Sequence, residues 1–280
     1  MDSSTNFDKI GVALWLCPRA NSQLYDKLKT LMGSLNTLFP GQPPTFEPHI
    51  TITTNIVIDL DDTNKTRDEV DRILSASAVA LSSLPKNHDN LIRLGRVNSQ
   101  RKFFKKLYFQ VDNDPNLVSF ARIIRELFVI LPYDIEQENI KLNPHLYTKD
   151  SHGNVIKRKH STKKHRLSSP TTQTNTTSPE AKQFDTTGLQ YLATQKAAEW
   201  SNTEFDPHLS LVYSNIHPID NALWRTIKTR ISDYLNIDNI DNDDFNSSDS
   251  GLGWDGGVLK LVLCEGDVND WIVLGSVDVH

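Results

Sequence analysis

Two stretches of this chain, FEPHITIT at 46–53 and FDPHLSLV at 205–212, spell nearly the same eight residues 159 positions apart. Aligned, they read aromatic, acid, Pro, His, branched aliphatic, hydroxyl, branched aliphatic, and then Thr or Val. A strand turns successive side chains to opposite faces, so His49 and Thr51 project from one face about 7 Å apart, as do His208 and Ser210. Ile50, Ile52, Leu209 and Leu211 then point the other way, into a core. Pro48 and Pro207 have a fixed φ and no N–H, which suits the first residue of a strand. Each copy is a strand that presents an imidazole beside a hydroxyl. A duplicated strand of this kind predicts two pseudo-symmetric lobes. If the two strands face each other, both imidazoles and both hydroxyls meet in one cleft.

The rest of the chain supplies layers to bury those strands. IGVALWL at 10–16 reads as a buried strand ended by Pro18. Leu24, Leu28, Leu31, Leu35 and Leu38 follow at helical spacing behind an Asn21/Ser22 cap. A second amphipathic helix is predicted over 66–84, with Val70, Ile73, Leu74, Leu81 and Leu84 inward, and strands over 91–97 and 103–112. A third helix from about Asn116 carries Leu117, Phe120, Ile124 and Leu127 and is expected to stop before Pro132. Helices near 188–200 and 219–236 flank the second copy, and final strands are expected near 256–264 and 271–279. This order predicts an α+β fold, bilobal, with two mostly antiparallel sheets and outer helices about a central cleft. Residues 1–280 are read as one catalytic domain whose strands are free to cross between lobes. The stretch 149–187 is read as a disordered basic Ser/Thr-rich insertion, and 236–251 as an acidic flexible loop.

Charge and composition narrow the function. The insertion carries eight Lys/Arg against three Asp/Glu, a net +5, so a chain of net −5 leaves −10 for the remainder. An acidic body disfavours capture of long nucleic acid, so no stable nucleic-acid complex is expected, while one small phosphorylated ligand is allowed. No apolar run reaches the ~18 residues that a membrane span needs, and the N-terminal MDSSTNFDKIGVALWLCP reads as leading into a strand rather than as a signal sequence. Only Cys17 and Cys264 are present, which argues against a disulfide framework and for an intracellular, reduced setting.

Two histidine–hydroxyl pairs have a definite chemistry. Hydrolysis of a cyclic phosphodiester needs a base on the attacking water and an acid on the departing oxygen, in line across phosphorus. An imidazole with an ordinary pKa near 6.5 suits either role. Two hydroxyls donate to the non-bridging oxygens, where charge is held during transfer. No metal or other cofactor is required. A lone His-x-Ser/Thr is commonplace and usually structural; two copies in one frame are not.

PHIT and PHLS, so spaced in a small α+β chain, resemble the signature of the two-histidine (2H) phosphoesterase superfamily. ALWLCP, TLFPG, PPTFEPHITIT, FFKKL, ARIIRELF, FDPHLSLVYSNIHPI and the closing WIVLGS further resemble the fungal 2',3'-cyclic-nucleotide 3'-phosphodiesterases, the cyclic phosphodiesterase family. PHLSLVY is also similar to the plant members. The resemblance implies a bilobal fold and metal-independent opening of cyclic phosphates. It implies action on 2',3'-cyclic nucleotides and on ADP-ribose 1'',2''-cyclic phosphate, downstream of tRNA splicing. It also implies Golgi association, for which no residue here carries the address. Carried onto this chain, His49 and His208 are catalytic, with His49 donating to the departing oxygen and His208 activating water. Thr51 and Ser210 bind the phosphate, and Tyr213 and Trp15 fall where relatives hold aromatics near the ligand. The expected partner is a small cyclic-phosphate nucleotide, the expected state a monomer.

Alternatives are an RNA-end cyclic phosphodiesterase or 2'-5' phosphodiesterase of the same superfamily, and a non-catalytic nucleotide-binding module. His145, in NPHLY, lacks the surrounding frame and puts Tyr147 at the hydroxyl position. His152, His160 and His165 fall in the basic insertion without regular ligand spacing, and His217 falls in a turn.

Overall fold

The structure is a computed structural model that describes residues 11–60, 62–85, 90–149, 155–158, 182–216, 218–237 and 252–280. In chain order the elements are β1 (Gly11–Cys17), α1 (Gln23–Asn36), β2 (Ile50–Ile56), α2 (Thr63–Ser82), β3 (Ile92–Asn98), β4 (Leu107–Val111) and α3 (Pro115–Arg125). There follow α4 (Leu131–Leu142), β5 (Tyr147–Lys149), β6 (Val155–Lys157), α5 (Thr187–Thr203), β7 (His208–Val212), α6 (Asn221–Leu235), β8 (Gly253–Trp254), β9 (Gly257–Cys264) and β10 (Ile272–Val279).

The fold is α+β and its described strand pairings are antiparallel. Eight strands form one sheet in the order β10-β9-β1-β2-β7-β4-β3-β8, and β5 and β6 make a separate hairpin. The two copies of the repeat are thereby neighbours at the centre of the sheet. Four strands lie on each side of the β2–β7 seam, so the expected two sheets are two halves joined at that seam. The half containing β2 takes β9 and β10 from the far end of the chain, and the half containing β7 takes β3 and β4 from before it.

The helices cover one face. Ser22 caps α1 by accepting from the Tyr25 N–H at 3.2 Å, and Leu28, Leu31 and Leu35 are fully buried at the predicted spacing. Asp62 caps α2, which turns Val70, Ile73, Leu74 and Leu81 inward. Asp114 caps α3 ahead of Pro115, the position where proline's missing N–H costs nothing. These side chains join the inward residues of the strands, Ile50, Ile52, Leu209 and Leu211 among them, in one core. The residues between them on β1 and β9 form a small second cluster, Ala13, Trp15, Cys17, Val262 and Cys264, on the opposite face. That opposite face carries the site.

Three expectations need correcting, and one strand was missed. The third helix does not end before Pro132: Arg125 runs into a π-helical turn, Glu126–Ile130, and α4 continues through the proline. Pro132 leaves the Phe128 carbonyl without its intrahelical donor, and the Val57 N–H takes it at 3.0 Å. Leu127 is consequently turned outward. The strand expected from 103 begins only at Leu107, because Phe103–Lys105 is a 3₁₀ turn. The Phe103 carbonyl accepts from the Ser214 N–H and the Phe104 carbonyl from the Ser210 hydroxyl, so neither is available to a sheet ladder. The short strand β8, which pairs with β3, was not legible in a stretch of Gly and Asp. Finally, within 149–187, residues 155–157 pair back on 147–149. The Asn143 side chain accepts from the Lys182 N–H and donates to its carbonyl, at 2.8 and 3.1 Å, drawing the chain back toward α5. The rest of that segment, and 238–251 of the acidic loop, lie outside the described residues.

Candidate active site

The two repeats meet through one register pair, Ile50 with Leu209. Both residues are fully buried on the core side, so their neighbours in sequence project from the other face. An antiparallel register extended by one residue sets His49 across from Ser210, and Thr51 across from His208. Around that pair, the four groups stand about 7 Å apart along each strand and about 5 Å apart across the seam. This is the span of a phosphoryl group with an oxygen on each side.

Each ring is tethered in the same way. His49 Nδ1 lies 2.6 Å from the Glu47 carbonyl, and His208 Nδ1 lies 2.7 Å from the Asp206 carbonyl. A carbonyl only accepts, so each Nδ1 carries its proton and each Nε2 is left as the reactive end. The copies therefore repeat a hydrogen bond as well as a sequence.

Their surroundings differ. His49 is 4% exposed and lies flat on Trp15, ring centroids 3.7 Å apart and planes 10° apart, with Phe46 edge-on at 5.8 Å. His208 is only partly buried and meets the edge of Tyr108 at 5.4 Å. Burial, which disfavours the imidazolium, pushes both rings down from 6.5 to about 4. His208 and Lys260 add positive charge against protonation of His49, and Lys105 adds it against His208. Both rings are neutral at neutral pH in this state.

The hydroxyls are set differently too. Ser210 donates to the Phe104 carbonyl at 2.7 Å, and its oxygen hydrogen-bonds the Tyr213 phenol. Thr51 is half-buried, and no hydrogen bond to its hydroxyl is found among the described residues. Tyr213 stacks on Phe46 at 3.9 Å and is 4% exposed; it lies one residue beyond β7, so strand alternation does not govern its direction. Trp15 and Tyr213 thus back His49 and Ser210 from within the walls.

The structure brings six sequence-predicted residues together: His49, His208, Thr51, Ser210, Trp15 and Tyr213. His145 is exposed on a separate 3₁₀ turn, while His152, His160, His165 and His217 lie outside the described residues. Sequence reasoning missed two lysines. Lys260 on β9 pairs with the Glu47 carboxylate, which also accepts from the Tyr25 hydroxyl at 3.2 Å. Lys105 pairs with Asp206. Burial works against the charge of Glu47, yet the Lys260 pair and the Tyr25 hydrogen bond hold its carboxyl below the ordinary range. The signal was present in the matched acid two residues before each histidine. Cys17 and Cys264 are buried and pushed up to about 12, too high to act as thiolates. No group of three His, Cys, Asp or Glu placed to hold a metal ion occurs among the described residues. No helix is long and apolar enough to cross a membrane among them.

The family model described as cyclic phosphodiesterase-like protein matches residues 10–279. The chain is 66% identical over 271 residues to a 2',3'-cyclic-nucleotide 3'-phosphodiesterase of Candida albicans, covering 97% of this chain and all (100%) of that one. It is 67% identical over 251 residues to the protein of the same name in Debaryomyces hansenii, at 90% and 100% coverage. A more distant one from Yarrowia lipolytica is 34% identical over 269 residues, at 96% and 100%. With its duplicated His-x-hydroxyl strands side by side and the family model matching residues 10–279, the chain belongs to the cyclic phosphodiesterase-like family.

Proposed function

We propose that this chain hydrolyses 2',3'-cyclic nucleotides at the 3' ester, leaving nucleoside 2'-phosphates. The observation that carries the reading is the paired tether: two imidazoles on register-paired strands, each with Nδ1–H on a carbonyl and with no hydrogen bond to Nε2 among the described residues.

In the proposed reaction His208 Nε2 takes a proton from water as the water oxygen bonds to phosphorus. The P–O3' bond breaks opposite the new bond, and the electron pair leaves with O3'. His49, protonated in the bound complex, gives its Nε2 proton to that oxygen. The sum is one water added and one ester opened, with the two protons restored by exchange with solvent. Thr51 and Ser210 donate to the non-bridging oxygens, where charge accumulates. To do so Ser210 turns its hydrogen from the Phe104 carbonyl to the phosphate, with its oxygen still held by Tyr213. Trp15 acts through His49, whose ring it keeps flat against the wall.

The same chemistry extends to ADP-ribose 1'',2''-cyclic phosphate, opened to ADP-ribose 1''-phosphate, the form in which the activity serves steps after tRNA splicing. That extension and a Golgi address rest on the family resemblance, and a monomer is the state expected. The test is incubation with 2',3'-cyclic AMP, with the phosphate isomer of the product identified by phosphorus NMR. The 2'-phosphate is expected. A 3'-phosphate, or no product, refutes the reading.

A further inference from the structure

In both copies of the repeat the acid two residues before the histidine faces two ways. Its carbonyl accepts from the ring's Nδ1–H, and its carboxylate meets a lysine from another element. Each lysine is also tied to the aromatic residue that touches its histidine. Lys260 is the register partner of Trp15, which stacks on His49. Lys105 Nζ lies 5.6 Å from the centre of the Tyr108 ring, which meets His208. Histidine, aromatic, lysine and acid thus close a ring of contacts, once in each half of the sheet. Both lysines are largely covered, at 19% and 16% side-chain exposure, so the pairs are not loose surface charges.

We propose that Lys260 and Lys105 are positioning residues for the two imidazoles, acting through Glu47 and Asp206 to fix the carbonyls that orient the rings. This rests on the phosphodiesterase reading of the same site. The two tethers are unequal. Glu47 is held by Lys260 and by Tyr25, whereas the Asp206 side chain, 56% exposed, is held by Lys105. Loss of Lys105 therefore frees its carbonyl more completely than loss of Lys260 frees the other.

The charges add a signature that a purely mechanical brace lacks. Among the described residues, Glu47, Lys260 and His208 act on His49, with Tyr25 and Lys29 acting on Glu47; Lys105 and Asp206 act on His208. Removing either lysine takes a cation from beside one ring and leaves a carboxylate unpaired there. Both changes favour the imidazolium of that ring and not of the other.

The experiment is a set of full-length variants, Lys105→Met, Lys105→Arg, Lys260→Met and Lys260→Arg, read by imidazole nitrogen NMR and by steady-state kinetics. Methionine keeps most of the aliphatic stem that covers the aromatic wall. Lys105→Met is expected to lower kcat about tenfold with KM nearly unchanged, and Lys260→Met about threefold, the scale of a misoriented catalytic group. The titration of His208 should rise by roughly half a unit or more in Lys105→Met alone, and that of His49 in Lys260→Met alone. Arginine at either position should restore both readouts. Unmoved titrations with kcat within twofold of wild type overturn the proposal. So does a large rise in KM with kcat and titrations intact, which would make the lysines direct substrate ligands. A wild-type chain that opened no cyclic phosphate would sink the functional reading alone, and the NMR comparison would still decide the lysines.

Discussion

Ile50 and Leu209, the fifth residues of the two repeats, are register partners across the β2–β7 seam and are both fully buried. A single hydrophobic pair thereby fixes how the two active strands stand to each other. A slip of one residue by either strand would turn that strand's histidine into the core, since alternation along a strand has a period of two. The placing of the two histidine–hydroxyl pairs is a consequence of core packing on the other side of the sheet.

That dependence is measurable. Leu209→Ala is expected to cost about 2–5 kcal/mol of stability, the range for emptying a buried aliphatic site. Leu209→Ile, which keeps the volume, should cost less than about 1.5 kcal/mol. Urea unfolding of the variants checks both, and an Ala variant as stable as wild type would detach the seam from the core.

The buried ring of His49 ties stability to acidity. Its pKa is about 4 when folded against 6.5 when unfolded. Above about pH 6.5 neither state is protonated and nothing is lost. As pH falls from there toward about 4, the unfolded chain takes up a proton that the folded ring refuses, so stability falls. The full window is worth roughly 3 kcal/mol for one such ring. Unfolding at several pH values should show a shallower acid loss in His49→Gln than in wild type. An equal slope in both would mean the folded ring titrates normally.

Substrate binding should reverse that refusal. An anionic phosphate beside two neutral imidazoles favours an imidazolium, which the general acid needs. Titrating a nucleoside 2'-phosphate into the protein near pH 7, by calorimetry in buffers of different ionisation enthalpy, is expected to show uptake of up to about one proton. No dependence on buffer would leave the acid step without its proton.

Chelation should leave turnover unchanged. Each of the two rings spends Nδ1 on a backbone carbonyl, and the Glu47 and Asp206 carboxylates beside them are paired with lysines. A tenfold loss in chelator that a divalent ion restored would contradict this.

Much of this was legible in the sequence because the repeat carries its own structure. Alternation gave the core face, proline the approach to the strand, and the histidine–hydroxyl spacing the chemistry proposed above. Heptad-like leucines gave α1, and Ser22 its cap. What escaped depended on partners far along the chain. Pro132 reads as a helix stop because its missing donor is a local fact, whereas the Val57 N–H that serves Phe128 comes from β2. Phe103 and Phe104 read as strand because they are aromatic, whereas their carbonyls are claimed by residues more than 100 positions later. Nothing in their local sequence sets Lys105 and Lys260 apart. Only the fold brings them to the two acids whose place in the repeat had no assigned purpose.

The proposed division of labour between the histidines fits their unequal exposure. A base for water needs a path from solvent, and His208 keeps part of its ring open. His49, 4% exposed beneath Trp15, is better placed for an oxygen that stays on the bound nucleoside. Replacing either with Ala should lower kcat by about 10²–10⁴, the worth of a positioned acid or base. The double variant should cost less than the product of the two, because acid and base serve one in-line step. A substrate whose leaving group needs no proton separates the roles. It should restore His49→Ala toward wild-type turnover and leave His208→Ala slow. Rescue of His208→Ala alone would reverse the assignment and place the water on the buried side of the seam. Unslowed turnover in both single variants would remove the paired strands from the chemistry altogether.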